Sequence, residues 1–289
     1  MILSSSVSRV WRASGLDESE ILKKYRQCGF GYICDEPASL PRDPEERVGM
    51  FERSGVKVSK VRAFKTARKD ELIALMDYCA LAGAKTLVAD LLTDESWDRQ
   101  RFMELNRAYL ADLSEEADKR GVLVLIEHAG PFQTPYYTHC SQELAELLRK
   151  GDCGAGINLN IGNVGLTELN LYPEIRLIKQ HIRGVDASDN FFAMSLAFDR
   201  HREDLGLAPL MGFLDYDEVM RGLKEAGYEG DFNLRLNYPA VFEKTETLPA
   251  PKRLEKLPVP LLESFTVWTR QVCEYMACAY DMPLKEVHA

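Results

Sequence analysis

The sequence predicts an α/β fold of the (β/α)8 class, a TIM barrel, in a single domain over residues 1–289. Short apolar runs alternate with helical patterns along the whole chain, an order typical of parallel strands joined by crossover helices. Eight such units can be counted, and eight is the number that closes this barrel. A length of 289 residues is also ordinary for one barrel domain.

The predicted strands are short runs rich in apolar residues, as expected for strands buried in a parallel sheet. In chain order they are Ile2–Ser6, Tyr32–Glu36, Lys57–Phe64, Thr86–Asp90, Val122–Glu127, Ala155–Asn160, Ile182–Asp186 and Phe232–Leu236.

Helix boundary signals lie between these strands. Asp17 and Asp215 stand where a helix N-cap is wanted, since a short carboxylate can accept hydrogen bonds from the free N–H groups of the first turn. Glycines that can adopt the left-handed cap conformation follow several helical patterns: Gly29, Gly55, Gly83, Gly121 and Gly227.

The stretch TLPAPKRLEKLPVP, after the eighth strand, is rich in proline and predicts a surface connector. A final helix, Leu261–Tyr280, follows it. We therefore expect the barrel to occupy residues 1 to about 245, and the connector with its closing helix to occupy about 246–289.

The amino-acid composition limits the kinds of molecule that the protein is expected to bind. The net charge of −9 disfavours binding to nucleic acid or to an anionic membrane surface. We find neither a basic-then-apolar leader nor about 18 consecutive apolar residues, so we expect no export signal and no membrane span. Seven cysteines without a CxxC pair predict a reduced, cytoplasmic setting.

Polar residues collect where four successive strands end. Because active sites of this fold lie at the carboxyl ends of the strands, these residues are the candidate site. They are Glu127 in LVLIEHAG; Asn160 and Asn163 in GINLNIGN; Asp186, Ser188 and Asp189 in IRGVDASDN; and Arg235 in DFNLRLNY.

On these segments the sequence resembles the xylose isomerase-like superfamily of sugar phosphate isomerases and epimerases. The most specific match is the Gly-Tyr-x-Gly turn of LKEAGYEGDFNLRL, with Gly227, Tyr228 and Gly230. The resemblance covers most of the chain. It implies a barrel enzyme that moves a proton on the carbon beside a sugar carbonyl, with a small sugar-like molecule as substrate.

The resemblance also implies four metal ligands, Glu, Asp, His and Glu, on strands five to eight, which hold a divalent ion such as manganese. This chain has Glu127, Asn160, Asp186 and Arg235 at those positions, so three of the four differ. A guanidinium is a permanent cation that only donates, and a hard metal ion needs anionic oxygens. We therefore expect no tightly bound metal; the alternative is a divalent cation such as manganese at Glu127, Asn160 and Asp186.

The candidate roles follow from this comparison. Glu127 is the expected proton-transferring base, Asp186 its partner, and Arg235 the cation that stabilises negative charge on the substrate in place of a metal. Six residues are expected to bind substrate, the last two through a phosphate or carboxylate: Asn160, Asn163, Ser188, Asp189, Arg200 and His201.

Structural explanations compete with these roles. Glu127, Asp186 and Arg235 would also suit an ion-pair network across the barrel mouth, and Asn160 and Asn163 would suit amides that cap a loop. Two functions therefore stay open: a metal-independent sugar isomerase or epimerase, and a catalytically degenerate barrel that binds sugar or serves as a partner subunit. A metal-dependent endonuclease would need His and carboxylate ligands and a basic groove, which the sequence lacks. The resemblance also leaves a homo-oligomer open.

Overall fold

The computed structural model describes residues 1–37, 40–63, 66–130, 136–149, 153–168, 170–190, 207–236, 240–244, 249–253 and 257–285. Eight parallel strands form a closed barrel in the order β1 to β8, so the predicted (β/α)8 fold is confirmed. Strand β8 returns to β1, with Leu3 opposite Phe232. The strands are β1 Ile2–Ser6, β2 Tyr32–Asp35, β3 Lys57–Arg62, β4 Thr86–Val88, β5 Leu123–Glu127, β6 Gly156–Asn160, β7 Ile182–Ala187 and β8 Asp231–Leu234.

Helices follow the strands and pack around the barrel. Within the described ranges they are α1 Arg9–Arg12, α2 Glu18–Gln27, α3 Pro44–Arg53, α4 Lys69–Ala82, α5 Arg99–Asp118, α6 Ser141–Arg149, α7 Ile161–Thr167, α8 Leu171–Ile178, α9 Tyr216–Glu225 and α10 Val259–Ala279. In this part of the chain, no helix combines the length and the apolar character needed to span a membrane.

Capping residues fix the helix starts as the sequence predicted. The Asp17 carboxylate accepts a hydrogen bond from the Glu20 backbone N–H (2.8 Å), and Glu20 accepts one from the Asp17 N–H (3.0 Å). This reciprocal capping box satisfies two otherwise free donors of α2. Asp215 caps α9 by accepting from the N–H groups of Asp217 and Glu218.

The segment after β8 contains an antiparallel hairpin that the sequence analysis did not predict. Its strands are β9 Ala240–Lys244 and β10 Pro249–Arg253, and Pro251 pairs opposite Phe242. Proline lacks an N–H and is tolerated only at strand edges, so the prolines favoured a connector in the sequence. Both strands of a two-stranded ribbon are edge strands, so this hairpin can accommodate the prolines.

Polar side chains occupy much of the barrel interior. Because strand residues alternate between two faces, a closed barrel points every second side chain inward. Five inward positions on β1, β3, β6, β7 and β8 carry fully buried polar residues: Ser4, Lys60, Asn158, Asp186 and Asn233. The interior is normally filled with Val, Ile and Leu. A polar interior must therefore satisfy its own hydrogen bonds.

His128, next to Glu127, takes the opposite face of the chain and is fully buried, with its Nε2 3.1 Å from the Ser141 Oγ of α6. Burial lowers the pKa of His128 to about 3 from an ordinary value of 6.5. The folded protein therefore keeps this imidazole neutral at pH values where the unfolded chain protonates it.

We predict that His128 makes the protein acid-sensitive. Between pH 6.5 and 3 the unfolded chain binds a proton that the folded chain does not, so the free energy of unfolding falls as pH falls. From pH 7 to 4 the His128 contribution is about 3 kcal/mol. Urea unfolding across this range measures it, and His128→Gln should flatten the curve. Equal pH slopes for the two proteins would contradict the assignment.

Candidate active site

Six charged side chains meet at the carboxyl end of the barrel, and we call them the charged cluster: Glu36, Lys60, Arg62, Glu127, Asp186 and Arg235. Strand β3 supplies two of them, Lys60 and Arg62. The others lie at or just beyond the ends of β2, β5, β7 and β8. The parallel arrangement brings these ends together although they are far apart in sequence.

Asp186 lies at the bottom of the cluster and is fully buried. Its Oδ1 accepts hydrogen bonds from Lys60 Nζ (2.6 Å) and Asn233 Nδ2 (3.0 Å), and its Oδ2 accepts one from Arg62 Nη2. Burial alone would raise the pKa of Asp186, but the positive charges of Arg62, Lys60 and Arg235 outweigh it and lower the pKa. This carboxylate therefore stays ionised and is a poor proton carrier, contrary to its predicted role as partner base.

Lys60 is a fully buried cation with all three ammonium protons accounted for. They go to Asp186, to Asn158 Oδ1 (3.0 Å) and to the Val185 carbonyl oxygen (3.1 Å). Burial would lower the pKa of Lys60, but Asp186 and Asp231 raise it above its ordinary value. The barrel interior therefore contains a permanent positive charge.

Arg62 connects the buried layer to the mouth. Its Nη1 donates to Glu127 Oε1 at 2.7 Å, while Nη2 bonds Asp186. Burial would lower the pKa of Arg62, yet Asp186, Glu127 and Glu36 hold it well above its ordinary value. The Nε lies 3.5 Å from Glu36 Oε1 and makes no hydrogen bond with any described residue.

Glu127 and Glu36 are the more accessible carboxylates, with about a fifth of each side chain exposed: 20% for Glu127 and 22% for Glu36. Glu127 Oε2 accepts two long hydrogen bonds of 3.4 Å, from the amides of Asn158 and Asn160. Glu36 Oε1 accepts from Ser6 Oγ at 2.9 Å. Both carboxylates therefore border the mouth and contact solvent, whereas Asp186 does not.

Arg235 follows β8 and lies higher in the mouth, with 27% of its side chain exposed. Its Nε is 3.8 Å from Glu36 Oε1. Burial would lower the pKa of Arg235 and the nearby Arg62 charge adds to that effect, but Glu36, Glu127 and Asp186 raise the pKa. We expected Arg235 to pair with Glu127 or Asp186. Arg62 makes those contacts, from β3, which lies two strands from β5 and four strands from β7 in the closed barrel.

The two predicted amides are used for local structure. Asn160 Oδ1 accepts from the Asn163 backbone N–H (3.1 Å), so Asn160 is the N-cap of α7. Asn163 Nδ2 donates to the His128 carbonyl oxygen at 2.8 Å. These contacts are those of the loop-capping alternative. Asn160 also reaches Glu127, which orients the predicted base.

Asp189 is fully buried, and it links the end of β7 to the described residues 212–214. Its carboxylate accepts from the backbone N–H groups of Asn190 (2.8 Å), Gly212 (2.9 Å) and Leu214 (3.0 Å). A Cβ on Gly212 would lie 2.2 Å from Asp189 Oδ1, so only glycine fits there. The three backbone contacts give Asp189 a structural role, and its predicted contact with substrate stays a prediction.

Ser188 is also fully buried, and its carbonyl oxygen accepts from Tyr216 Oη at 2.9 Å. Arg200 and His201, the predicted anion-binding pair, lie outside the described residues. Of the predicted site residues that the structure describes, Glu127 and Arg235 border the mouth, and Asn160 and Asp186 lie beneath them.

The residues at the positions where the resemblance implies metal ligands do not fit a divalent cation. Both oxygens of Asp186 are bonded to cationic groups, and Arg62 Nη1 contacts Glu127. A metal ion here would face Lys60 and Arg62 as well as the donor-only Arg235. Across the described ranges, no three His, Cys, Asp or Glu side chains are grouped as a metal site.

The sequence analysis missed Lys60, Arg62 and Glu36. In the segment KVSKVR, Lys60 and Arg62 are two positions apart, which is the spacing of one strand face. On an open sheet this pattern is typical of a solvated face. In a closed barrel it points charges inward, so alternation combined with the barrel prediction is the signal that would have found them.

Comparison with known families agrees with this architecture. The model of the family described as "Xylose isomerase-like TIM barrel" matches residues 28–256. The chain therefore belongs to the xylose isomerase-like TIM-barrel family, as the resemblance of its strand ends predicted. A search of curated proteins gave no match.

Solved structures with the same fold include sugar epimerases. A D-psicose 3-epimerase from Clostridium cellulolyticum H10, solved with D-tagatose, is 13% identical, and the match covers 96% of this chain and 99% of that one with a TM-score of 0.76. A D-tagatose 3-epimerase-like protein is 14% identical, with coverage of 97% and 98% and a TM-score of 0.73. An IolI protein with a bound zinc atom is 17% identical, with coverage of 97% and 99% and a TM-score of 0.72. At these identities the similarity establishes the fold.

We predict that Lys60→Met lowers the free energy of unfolding by about 3–5 kcal/mol, because removing one member of a buried ion pair leaves uncompensated charge. Lys69→Met is the matched control. Lys69 pairs with Asp112 at the surface, where an ion pair contributes roughly 0–1 kcal/mol. Urea unfolding at pH 7 measures both variants, and equal losses would contradict the structural role of Lys60.

Proposed function

We propose that this protein is a sugar isomerase or epimerase-like enzyme that transfers a proton on a small polyhydroxy carbonyl compound or acid without a divalent metal. The observation that carries the proposal is Arg62, a permanent cation that contacts Glu127 and Asp186 where the family places its metal. The sugar epimerases of the same fold support the substrate class.

The reaction begins at Glu127. Its carboxylate removes the proton from the carbon beside the substrate carbonyl, and the C–H electrons move to the carbonyl oxygen to form an enolate. Arg62 and Arg235 supply the positive charge that stabilises this oxygen. The free energy needed to orient these charges is expended during folding and not during the reaction, because Asp186 and Glu36 hold the guanidinium groups in place.

Glu36 is the candidate for the second proton-transfer group. It replaces Asp186, which is buried and tied to two cations. Strand β2 lies three strands away from β5, so Glu36 enters the mouth from a different side than Glu127. In this step Glu36 acts from its protonated form: it gives its proton to the other face of the enolate while Glu127 keeps the proton taken from the substrate, and the carbon is inverted. Exchange with water then restores the proton on Glu36 and the carboxylate of Glu127. Isomerisation would instead need the hydroxyl proton on the deprotonated carbon to pass to the former carbonyl oxygen, and one proton to be added at the former carbonyl carbon.

The second candidate function is a sugar-binding barrel without turnover. The observation that favours it is that both Glu127 oxygens already accept hydrogen bonds, from Arg62 and from two amides. A substrate would have to displace or share these bonds before Glu127 could act as a base.

Deuterium exchange tests the two-base assignment. In D2O, each of Glu127→Gln and Glu36→Gln should reduce epimerisation by about 10²–10⁴-fold. Each variant should still exchange the proton of one epimer, and the two variants should differ in which epimer they exchange. NMR or mass spectrometry of the sugar measures both rates on a panel of ketoses, aldoses and inososes.

Glu52→Gln is the matched control, because Glu52 lies on α3 near the amino end of the barrel and should leave both rates unchanged. Unaltered epimerisation by Glu127→Gln would overturn the mechanism. Unaltered epimerisation by Glu36→Gln would overturn only the second base. Saturable binding by the wild-type protein without exchange on any sugar would favour the binding function instead.

Metal independence has its own test. We expect the purified protein to contain far less than one equivalent of manganese, zinc or cobalt by elemental mass spectrometry, and turnover to survive dialysis against EDTA. The physical reason is that Lys60 and Arg62 already neutralise the carboxylates at this position. One equivalent of metal, with activity lost on chelation and restored by that ion, would contradict the proposal.

A further inference from the structure

The outward face of α10 has a pattern that the fold does not require. Six residues at heptad spacing lie on it, and all six are exposed. We call them the heptad stripe: Leu261, Ser264, Trp268, Gln271, Tyr275 and Cys278. The large ones are exposed to an unusual degree for apolar and aromatic side chains, Leu261 by 52%, Trp268 by 41% and Tyr275 by 74%. The opposite face, which includes Leu262, Thr269 and Met276, is buried.

The heptad stripe is also uncharged, although 28% of the chain is charged. A surface helix that faces only water usually carries charged residues on its outer face. Two copies of a chain with a net charge of −9 repel each other in general, so a contact between copies is favoured at an uncharged face. This charge pattern suits a second copy of the chain better than a basic or acidic partner.

The order of side chains along the stripe is self-complementary. Large and small or polar residues alternate, and an antiparallel pairing about a two-fold axis near Thr269 and Arg270 places each large residue opposite a smaller one. In that register Leu261 faces Cys278 of the second copy, Ser264 faces its Tyr275, and Trp268 faces its Gln271. Alternation of large and small residues lets facing layers interdigitate, and an isologous interface requires this self-complementarity.

We propose that the protein forms a homodimer in which α10 packs antiparallel against α10 of the second copy along the heptad stripe. The 21-residue helix is about 31 Å long. One helix pair of this length buries less than the roughly 800 Å² per partner of a standard interface, so the dimer dissociates on dilution. This inference is independent of the catalytic proposal.

Sedimentation velocity over a range of protein concentrations tests the dimer. We expect dimer at high concentration for the wild-type protein, and monomer for Tyr275→Lys and Trp268→Lys, because two lysines would then face the partner stripe. Tyr275 is three-quarters exposed, so its substitution should leave the fold intact, as circular dichroism would verify. Leu177→Lys is the matched control: Leu177 is 42% exposed on α8 and should keep the dimer.

A disulfide tests the register. Leu261→Cys places a thiol opposite Cys278 of the second copy, and oxidation by copper phenanthroline removes two protons and two electrons to form an intermolecular bond. We expect a dimer band on non-reducing gels for Leu261→Cys and its absence when Cys278→Ser is added.

Three results would overturn the proposal. The first is a wild-type monomer at every concentration, and the second is a dimer that survives both lysine substitutions on the stripe. The third is a Leu261→Cys protein that dimerises in solution yet forms no disulfide through Cys278, which would exclude the antiparallel register.

Discussion

The buried ion pairs of Asp186 with Lys60 and Arg62 constrain the rest of the barrel. Each charge would cost several kcal/mol to bury alone, and each is retained only because its partners lie on a neighbouring or facing strand. A one-residue slip of β3 would turn both cations toward the apolar outer layer. The register of the closed sheet and the ion pairs therefore depend on each other.

The same network determines what the mouth can offer a ligand. Arg62 is anchored below by Asp186, so its remaining donors are fixed in the direction of Glu127 and Glu36. The two accessible carboxylates are held beside a cation that does not have to move during a reaction. On the proposed function, this arrangement is electrostatic preorganisation by the protein itself.

The sequence predicted the barrel well because its signals are periodic and local. Strand starts agree within one residue, and the largest differences are at the ends of β3, β4 and β8, which stop two residues before the predicted ends. The site was predicted less well. Lys60 and Arg62 could not be distinguished from a solvated strand face without knowing which face closes inward, and the hairpin was hidden by its prolines.

On the proposed function, the charge balance of the charged cluster limits which substrates can bind. Three cationic groups, Lys60, Arg62 and Arg235, are matched there by three carboxylates, Glu36, Glu127 and Asp186, and a fourth carboxyl group, Asp231, lies 3.4 Å from Lys60. A divalent metal site retains positive charge for an anionic ligand, but this cluster has no excess positive charge. A phosphate or carboxylate on a substrate would need a cation from outside the cluster, whereas a neutral polyhydroxy carbonyl compound needs only the donors of Arg62 and Arg235. The cluster by itself therefore favours a neutral sugar, and selectivity for an acid would have to come from the loops around the mouth.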